Sequence, residues 1–219
     1  MVMRLRILSV NVSRPKIIAL MNGEPVRSGI GKRPVGRDQI FVDSLNIEGD
    51  GQADLTVHGG PDKAVYAYPA SHWPWWETEH RLSCSPGTFG ENLTLESGDE
   101  TEIRIGDRFR WGDVEVEVAQ PRAPCFKFLI HTRREDAAQL MTVAGRCGFY
   151  LRVTKEGFAP VENAYLERSY TSDAASVREA FFAVLGKASV ETLQHVRGAR
   201  GLAESWASAV ARRLAARQS

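Results

Sequence analysis

The run Gln120-Pro121-Arg122-Ala123-Pro124-Cys125-Phe126-Lys127 sets a thiol between two cations. A nearby cation favours the thiolate, which is the form that binds metals and attacks electrophiles. Two prolines fix φ and stiffen the backbone carrying it. The run follows a strictly alternating stretch, so Cys125 is expected at a strand end. A lone cysteine is more often a small buried apolar group, and charge alone leaves both readings open. As a nucleophile Cys125 lacks an evident base, His131 being the nearest histidine in sequence. The other cysteines have no such company: Cys147 reads as packing near a strand start and Cys84 as a loop residue. Three widely spaced cysteines make no disulfide framework. No Cys-x-x-Cys or His-x-x-x-His pair exists to hold structural zinc.

Two glycine-rich stretches offer further chemistry. Between Glu48 and Ala64, Gly49, Gly51, Gly59 and Gly60 allow close backbone approach to a ligand, and His58 and Lys63 add donors. The plainer reading is a tight, charged surface loop. Asp50, Asp54 and Asp62 lack the spacing and terminal Glu of a calcium-binding loop. In Gly87-Thr88-Phe89-Gly90-Glu91-Asn92-Leu93-Thr94, Asn92 brings both donor and acceptor. An ordinary turn entering a strand is the alternative. Trp73, Trp75 and Trp76 read as core and loop packing, and Tyr66 and Tyr68 alternate as in a strand. His72, His80, His131 and His195 read as non-ligands. Arg212, Arg213 and Arg217 read as a solvated helix end.

The elements that must position these residues fall into two parts. Up to about Val153 the chain reads as strands and loops, with strands over 5–12, 37–42 and 149–154. A hairpin is expected from Ile103 to Val118, turning at Trp111-Gly112-Asp113. Helices are expected over 71–80 and over 133–144, the latter stopping at Gly145. This pattern predicts a mainly β, α+β fold: an irregular barrel with flanking helices and loop-borne chemistry. After about Tyr170 the character changes. Ser176-Val177-Arg178-Glu179 is a capping box. Short helices then start there, at Ser189 and after Gly201, making a small three-helix appendage. The division is a barrel over 1–165 and a helical unit over 170–219.

Bulk composition bounds the partners. The 219 residues carry 28 Lys+Arg against 27 Asp+Glu, a net charge of +1, so nothing global favours nucleic acid or a membrane and any anion site must be local. The N-terminus has no signal-peptide pattern and no stretch is apolar for long enough to span a bilayer, so a cytoplasmic location is expected.

Taken together, five blocks in order resemble the MOSC domain, the module named after the C-terminal region of molybdenum cofactor sulfurases, in its YiiM-like branch. They are Gly49-Asp50-Gly51-Gln52-Ala53-Asp54, His58-Gly59-Gly60-Pro61-Asp62-Lys63-Ala64, Phe89-Gly90-Glu91-Asn92-Leu93, Ile105-Gly106-Asp107 and Gln120-Pro121-Arg122-Ala123-Pro124-Cys125. The helical tail resembles the three-helix (3-alpha) domain of that branch. The resemblance implies a MOSC-type barrel binding the phosphate-bearing pyranopterin molybdenum cofactor. It implies Cys125 as the catalytic residue and protein ligand to molybdenum. The implied cofactor-binding set is Lys32, Arg33, His58, Gly59, Gly60, Lys63, Gly90, Glu91, Asn92, Gln120, Arg122, Pro124 and Lys127. Gly90 and Asn92 are expected at the pterin edge, with Lys32, Arg33, Arg122 and Lys127 supplying charge to the phosphate. The implied activity is molybdenum-dependent reduction of N-hydroxylated compounds, hydroxylaminopurine-type bases and hydroxylamines, a detoxification fed by a separate flavin-containing reductase. A carrier of the cofactor or of sulfur, without turnover, is the alternative. The family also carries an association with pyridoxal phosphate, and a homodimer is an assembly it allows. Cys147 departs from the bulkier, less polar residue expected of the family near that strand.

Overall fold

The computed structural model describes residues 3–53 and 59–218, so His58 and its four preceding neighbours lie outside the described residues. In chain order the strands are β1 (Arg4–Val12), β2 (Lys16–Met21), β3 (Glu24–Ser28), β4 (Arg33–Pro34), β5 (Gln39–Val42) and β6 (Val65–Pro69). Helix α1 (Trp73–His80) and strands β7 (Leu93–Leu95), β8 (Arg108–Trp111) and β9 (Val114–Pro121) follow. Next come α2 (Phe126–Thr132), α3 (Ala137–Ala144), β10 (Phe149–Lys155), β11 (Gly157–Pro160) and β12 (Tyr165–Tyr170). Helices α4 (Val177–Val184), α5 (Val190–Arg197) and α6 (Glu204–Gln218) complete the tail.

Seven strands in the order β12-β8-β9-β10-β6-β7-β1 close on themselves through β1 and β12, and β4 extends β1. The fold is the expected mixed α+β barrel. Closure pairs Arg4 with Glu167 and Arg6 with Tyr165, residues more than half the chain apart. Leu5, Ile7, Phe109, Val116, Val118, Leu151 and Leu166 fill the interior, as strand periodicity demands. The closing strand occupies the stretch between the two segments read from sequence. The tail is hydrogen-bonded onto the barrel: Val177 N donates to Ile103 O at 2.8 Å and Ala203 N to Ala119 O at 2.9 Å.

The alternating arm ends in the hairpin turn at Trp111-Val114, as expected, but its first strand begins only at Arg108. Ile103 to Asp107 is a turn instead, fixed by Asp107, which accepts from Arg104 N at 2.9 Å and Ser172 N at 2.8 Å. The helix expected over 133–144 is corrected as well. Arg133 sits at φ 53 and ends α2, and the next helix begins at Ala137. The capping box at Ser176 and Glu179 forms as expected, and Ser189 caps α5.

The loop between α1 and β7 is braced from inside. Glu91 is fully buried and its carboxylate accepts from Gly87 N at 2.7 Å, Phe89 N at 2.9 Å and Thr94 Oγ1 at 2.7 Å. Burial pushes this carboxyl up to about 7, against the pull of its three donors. The folded-state value stands above the ordinary one. Stability from this group is therefore fully present below the ordinary glutamate range and lost as pH rises through about 7. Between pH 5 and pH 8 the wild-type protein should lose on the order of 3 kcal/mol that a Glu91→Gln variant does not lose. Chemical denaturation of both proteins across that range checks this, and parallel pH profiles would rule it out.

Candidate functional site

The described residues open one cleft of about 670 Å³ beside Cys125, within the range of small-molecule sites. Its walls come from loops that the barrel ends present: Ser28 to Lys32 after β3, Asp50 to Ala53, Phe89 to Asn92 before β7, and Arg122 to Lys127 after β9. Tyr66 of β6 and Tyr150 of β10 complete it, their rings 5.1 Å apart. Behind the cleft lies an aromatic layer. Tyr68 stacks on Phe89 at 3.9 Å, and Trp76 Nε1 donates to Tyr68 Oη at 2.7 Å. The tryptophan-rich helix thus packs the core and fixes Phe89.

Cys125 is half-buried at the N-cap of α2, where its carbonyl accepts from Phe128 N at 2.9 Å. The other two thiols are held protonated. Burial with Glu77 pushes Cys84 up to about 12, and burial with Glu100 raises Cys147 well above the ordinary thiol value.

Arg122 dominates the electrostatics. Its side chain is buried, its guanidinium lies 5.5 Å over the Tyr66 ring and 5.1 Å over Phe128, and Nη1 donates to Met141 Sδ at 3.2 Å. No carboxylate among the described residues lies within ion-pair distance of it. Burial opposes its charge, Tyr66, Tyr150 and Cys125 favour it, and its pKa ends above the ordinary guanidinium value. Lys32 is the second buried cation. Its ammonium is paired with Asp50, yet burial outweighs that attraction and lowers its pKa. Lys63 is also lowered by burial, against Asp62. With Lys127, four cations line the cleft among the described residues, where Asp50 supplies the carboxylate. A buried cation without its own anion is an incomplete arrangement, and the excess here suits an anionic ligand.

The sequence-derived set divides on this geometry. Cys125, Lys32, Lys63, Gly90, Asn92, Arg122 and Lys127 meet at the cleft. Gly90 has φ +78, and a Cβ there would sit 2.8 Å from Ile30 Cγ1, so the close approach needs glycine. The Asn92 amide is already engaged: Oδ1 accepts from Tyr66 N, and Nδ2 donates to Asn11 O and Asp50 Oδ2. Asn92 therefore joins β1, β6 and the Asp50 loop and forms wall. Glu91 faces inward as the loop brace, and Pro124, between the lining residues Ala123 and Cys125, does not itself line the cleft. Gly60, φ 97, caps the turn Pro61–Lys63 that carries Lys63, and neither it nor Gly59 lines the cleft. Gln120 is buried behind it with Oε1 lacking a partner. Arg33 is exposed on β4, away from the cleft.

Asp50, Tyr66 and Tyr150 are site residues that the sequence reading leaves out. Asp50 Oδ1 accepts from Ser13 N at 2.8 Å, while Oδ2 takes both Lys32 and Asn92. The signals were a Gly-Asp-Gly turn and two strand tyrosines, none of which names a partner. His72 belongs elsewhere: it meets Asp99 and Glu100, and its Nε2 lies 2.8 Å from Glu100 Oε2. Glu100 Oε1 accepts from Gly148 N at 2.6 Å, so the pair braces the start of β10.

Known proteins supply the frame for this site. A family model described as MOSC domain matches residues 54–164. Protein YiiM of Escherichia coli is 34% identical over 208 residues, covering 93% of this chain and 91% of that protein. The crystal structure of YiiM from Geobacillus stearothermophilus superposes with TM-score 0.78 at 28% identity, covering 96% of this chain and 99% of that one. A protein named Reductase from Gibberella moniliformis is 34% identical over 122 residues, which are 54% of this chain and 22% of that protein. With the barrel closed, the cleft at its rim and these matches along the chain, the protein belongs to the MOSC domain family and is a homologue of YiiM.

Proposed function

We propose that this protein is a molybdenum-cofactor-dependent reductase of N-hydroxylated compounds, with Cys125 as thiolate ligand and a flavin-containing reductase as electron donor. The observation that carries the reading is Arg122, a buried guanidinium beside the Cys125 cleft to which no carboxylate among the described residues is paired. Family membership and the relative named Reductase support an oxidoreductase.

The residues present fit the cofactor. A phosphate-bearing pterin is anionic and wants cations, and the cleft has an excess of them. A thiolate is a soft ligand suited to a thiol-rich metal centre. The unpartnered Gln120 Oε1 is a further buried acceptor near the site. When bound, the molybdenum centre supplies the two electrons that cleave an N–O bond. The chain does the rest. Arg122, Lys63 and Lys127 hold the anionic end. Tyr66, Phe89 and Tyr150 shield the pocket from water. Reduction of R–NHOH to R–NH2 and water consumes two electrons and two protons. Lys32 Nζ, lowered by burial and tethered to Asp50, is the group in the wall suited to passing a proton toward the cleft.

Two variants test this reading. Protein produced with an intact cofactor pathway should carry stoichiometric molybdenum by elemental analysis and reduce an N-hydroxylated base with reduced methyl viologen. Cys125→Ala should abolish that turnover; full activity in the variant would refute the ligand role. Molybdenum without turnover on any N-hydroxylated substrate would favour a carrier. Arg122→Met removes a cation that no carboxylate among the described residues offsets, so the cofactor-free variant should stay within about 1 kcal/mol of wild type or exceed it. Its molybdenum content should fall at least tenfold. A large loss of apoprotein stability would make Arg122 a structural residue instead.

A further inference from the structure

The strands β2 and β3 form a ribbon that stands apart from the barrel sheet. Its register pairs Ile17 with Arg27 and Met21 with Glu24, around the turn at Asn22 and Gly23. Ile17 is 53% exposed, Leu20 69% and Met21 49%, and Phe126, the residue after Cys125, is 49% exposed. Exposed apolar residues clustered on one element mark interaction surfaces.

Charge says what kind of partner fits. From Ser13 to Pro34 the exposed charged residues are Arg14, Lys16, Arg27 and Arg33 against Glu24. None of these four cations forms an ion pair among the described residues. The whole chain is at net charge +1, so this ribbon concentrates positive charge that the rest of the surface balances. A second copy of the chain docking here would set like charges against each other. An acidic surface with an apolar centre would neutralise them.

Position gives the partner its role. Ser28, Gly29, Ile30 and Lys32, which follow β3 directly, line the Cys125 cleft. A Cβ on Gly31 would lie 3.3 Å from Lys16 Nζ, and one on Gly51, itself in the cleft wall, 3.0 Å from Pro15 Cδ. The ribbon is therefore the lip of the site.

We infer that the β2–β3 ribbon with Phe126 is the docking surface for an acidic electron-carrier protein, steered by Arg14, Lys16, Arg27 and Arg33 and seated on Ile17 and Leu20, which share the face of Arg27. This rests on the reductase reading for its purpose, but its geometry is testable by binding alone.

The probe is flavodoxin, a small acidic protein with a flavin near its surface, titrated calorimetrically into the full chain produced with an intact cofactor pathway. Wild type should bind it with an affinity that drops at least tenfold between low salt and 0.5 M salt, as expected of steered contacts with a Debye length of about 8 Å or less. The double variant Lys16→Glu/Arg27→Glu and the single variant Leu20→Asp should each weaken binding at least tenfold. All three positions are exposed, and unchanged circular dichroism and melting would confirm that folding is intact. Arg197→Glu/Arg212→Glu, on the tail, should leave binding unchanged. Absence of binding, equal affinities in all variants, or an equal loss from the tail variant would overturn the assignment. So would self-association of wild type that Leu20→Asp abolishes, which would make a second copy the occupant. Loss of methyl viologen-driven turnover with flavodoxin binding intact would instead count against the reductase reading.

Discussion

One buried charge organises this molecule. Arg122 lies between two aromatic rings and a thioether, and no described carboxylate offsets it. Proteins seldom bury a guanidinium this way, because desolvating a charge costs several kcal/mol unless a partner offsets it. Everything around Arg122 has to hold the backbone rigid without cancelling that charge. Arg122 N donates to Gly148 O at 3.3 Å, Gly148 N is held by Glu100, and Glu100 is held by His72. The brace ends at the Arg122 backbone and does not reach its guanidinium. Its positive charge stays available to whatever enters the cleft.

The opposite wall follows a different logic. Lys32 is also buried, but it is matched by Asp50, which in turn fixes Asn92 and Ser13. One carboxylate thus sets the positions of two loops and two strands. The site combines a cation that is poised and one that is tethered. They differ in their surroundings: Arg122 lies among rings and a thioether, and Lys32 is held by a carboxylate.

Legibility followed sequence distance. The alternation of Val114 to Val118 and the capping box at Ser176 are local codes, and both elements form where read. Helix α2 was hidden because Phe126-Lys127-Phe128-Leu129-Ile130 has no polar spacing. Phe128 packed under the aromatic layer decides its conformation, and a tertiary contact leaves no periodic trace. The ribbon β2–β3 lacked a buried face to announce it. At the site, Cys125, Arg122, Lys32 and Lys63 could be named from residue type and motif order. The roles of Asn92 and Glu91 could not, since both depend on hydrogen bonds to backbone groups that only the fold brings near. Arg33 shows the opposite case: its neighbour Lys32 turns inward to Asp50, while Arg33 starts the short β4 with its side chain exposed.

The closure of β1 against β12 bears on how the protein is made. Arg4 finds Glu167 only after about three-quarters of these 219 residues have been synthesised. Until then β1 has an open edge, and the loops that β1 anchors through Asn92 and Thr94 lack their seat. Pairings of such long range form late, because the entropy of closing the loop comes first. A ribosome-bound chain would hold Cys125 and Arg122 well before it holds a cleft. A ligand that recognises all four walls has to arrive after those walls have come together.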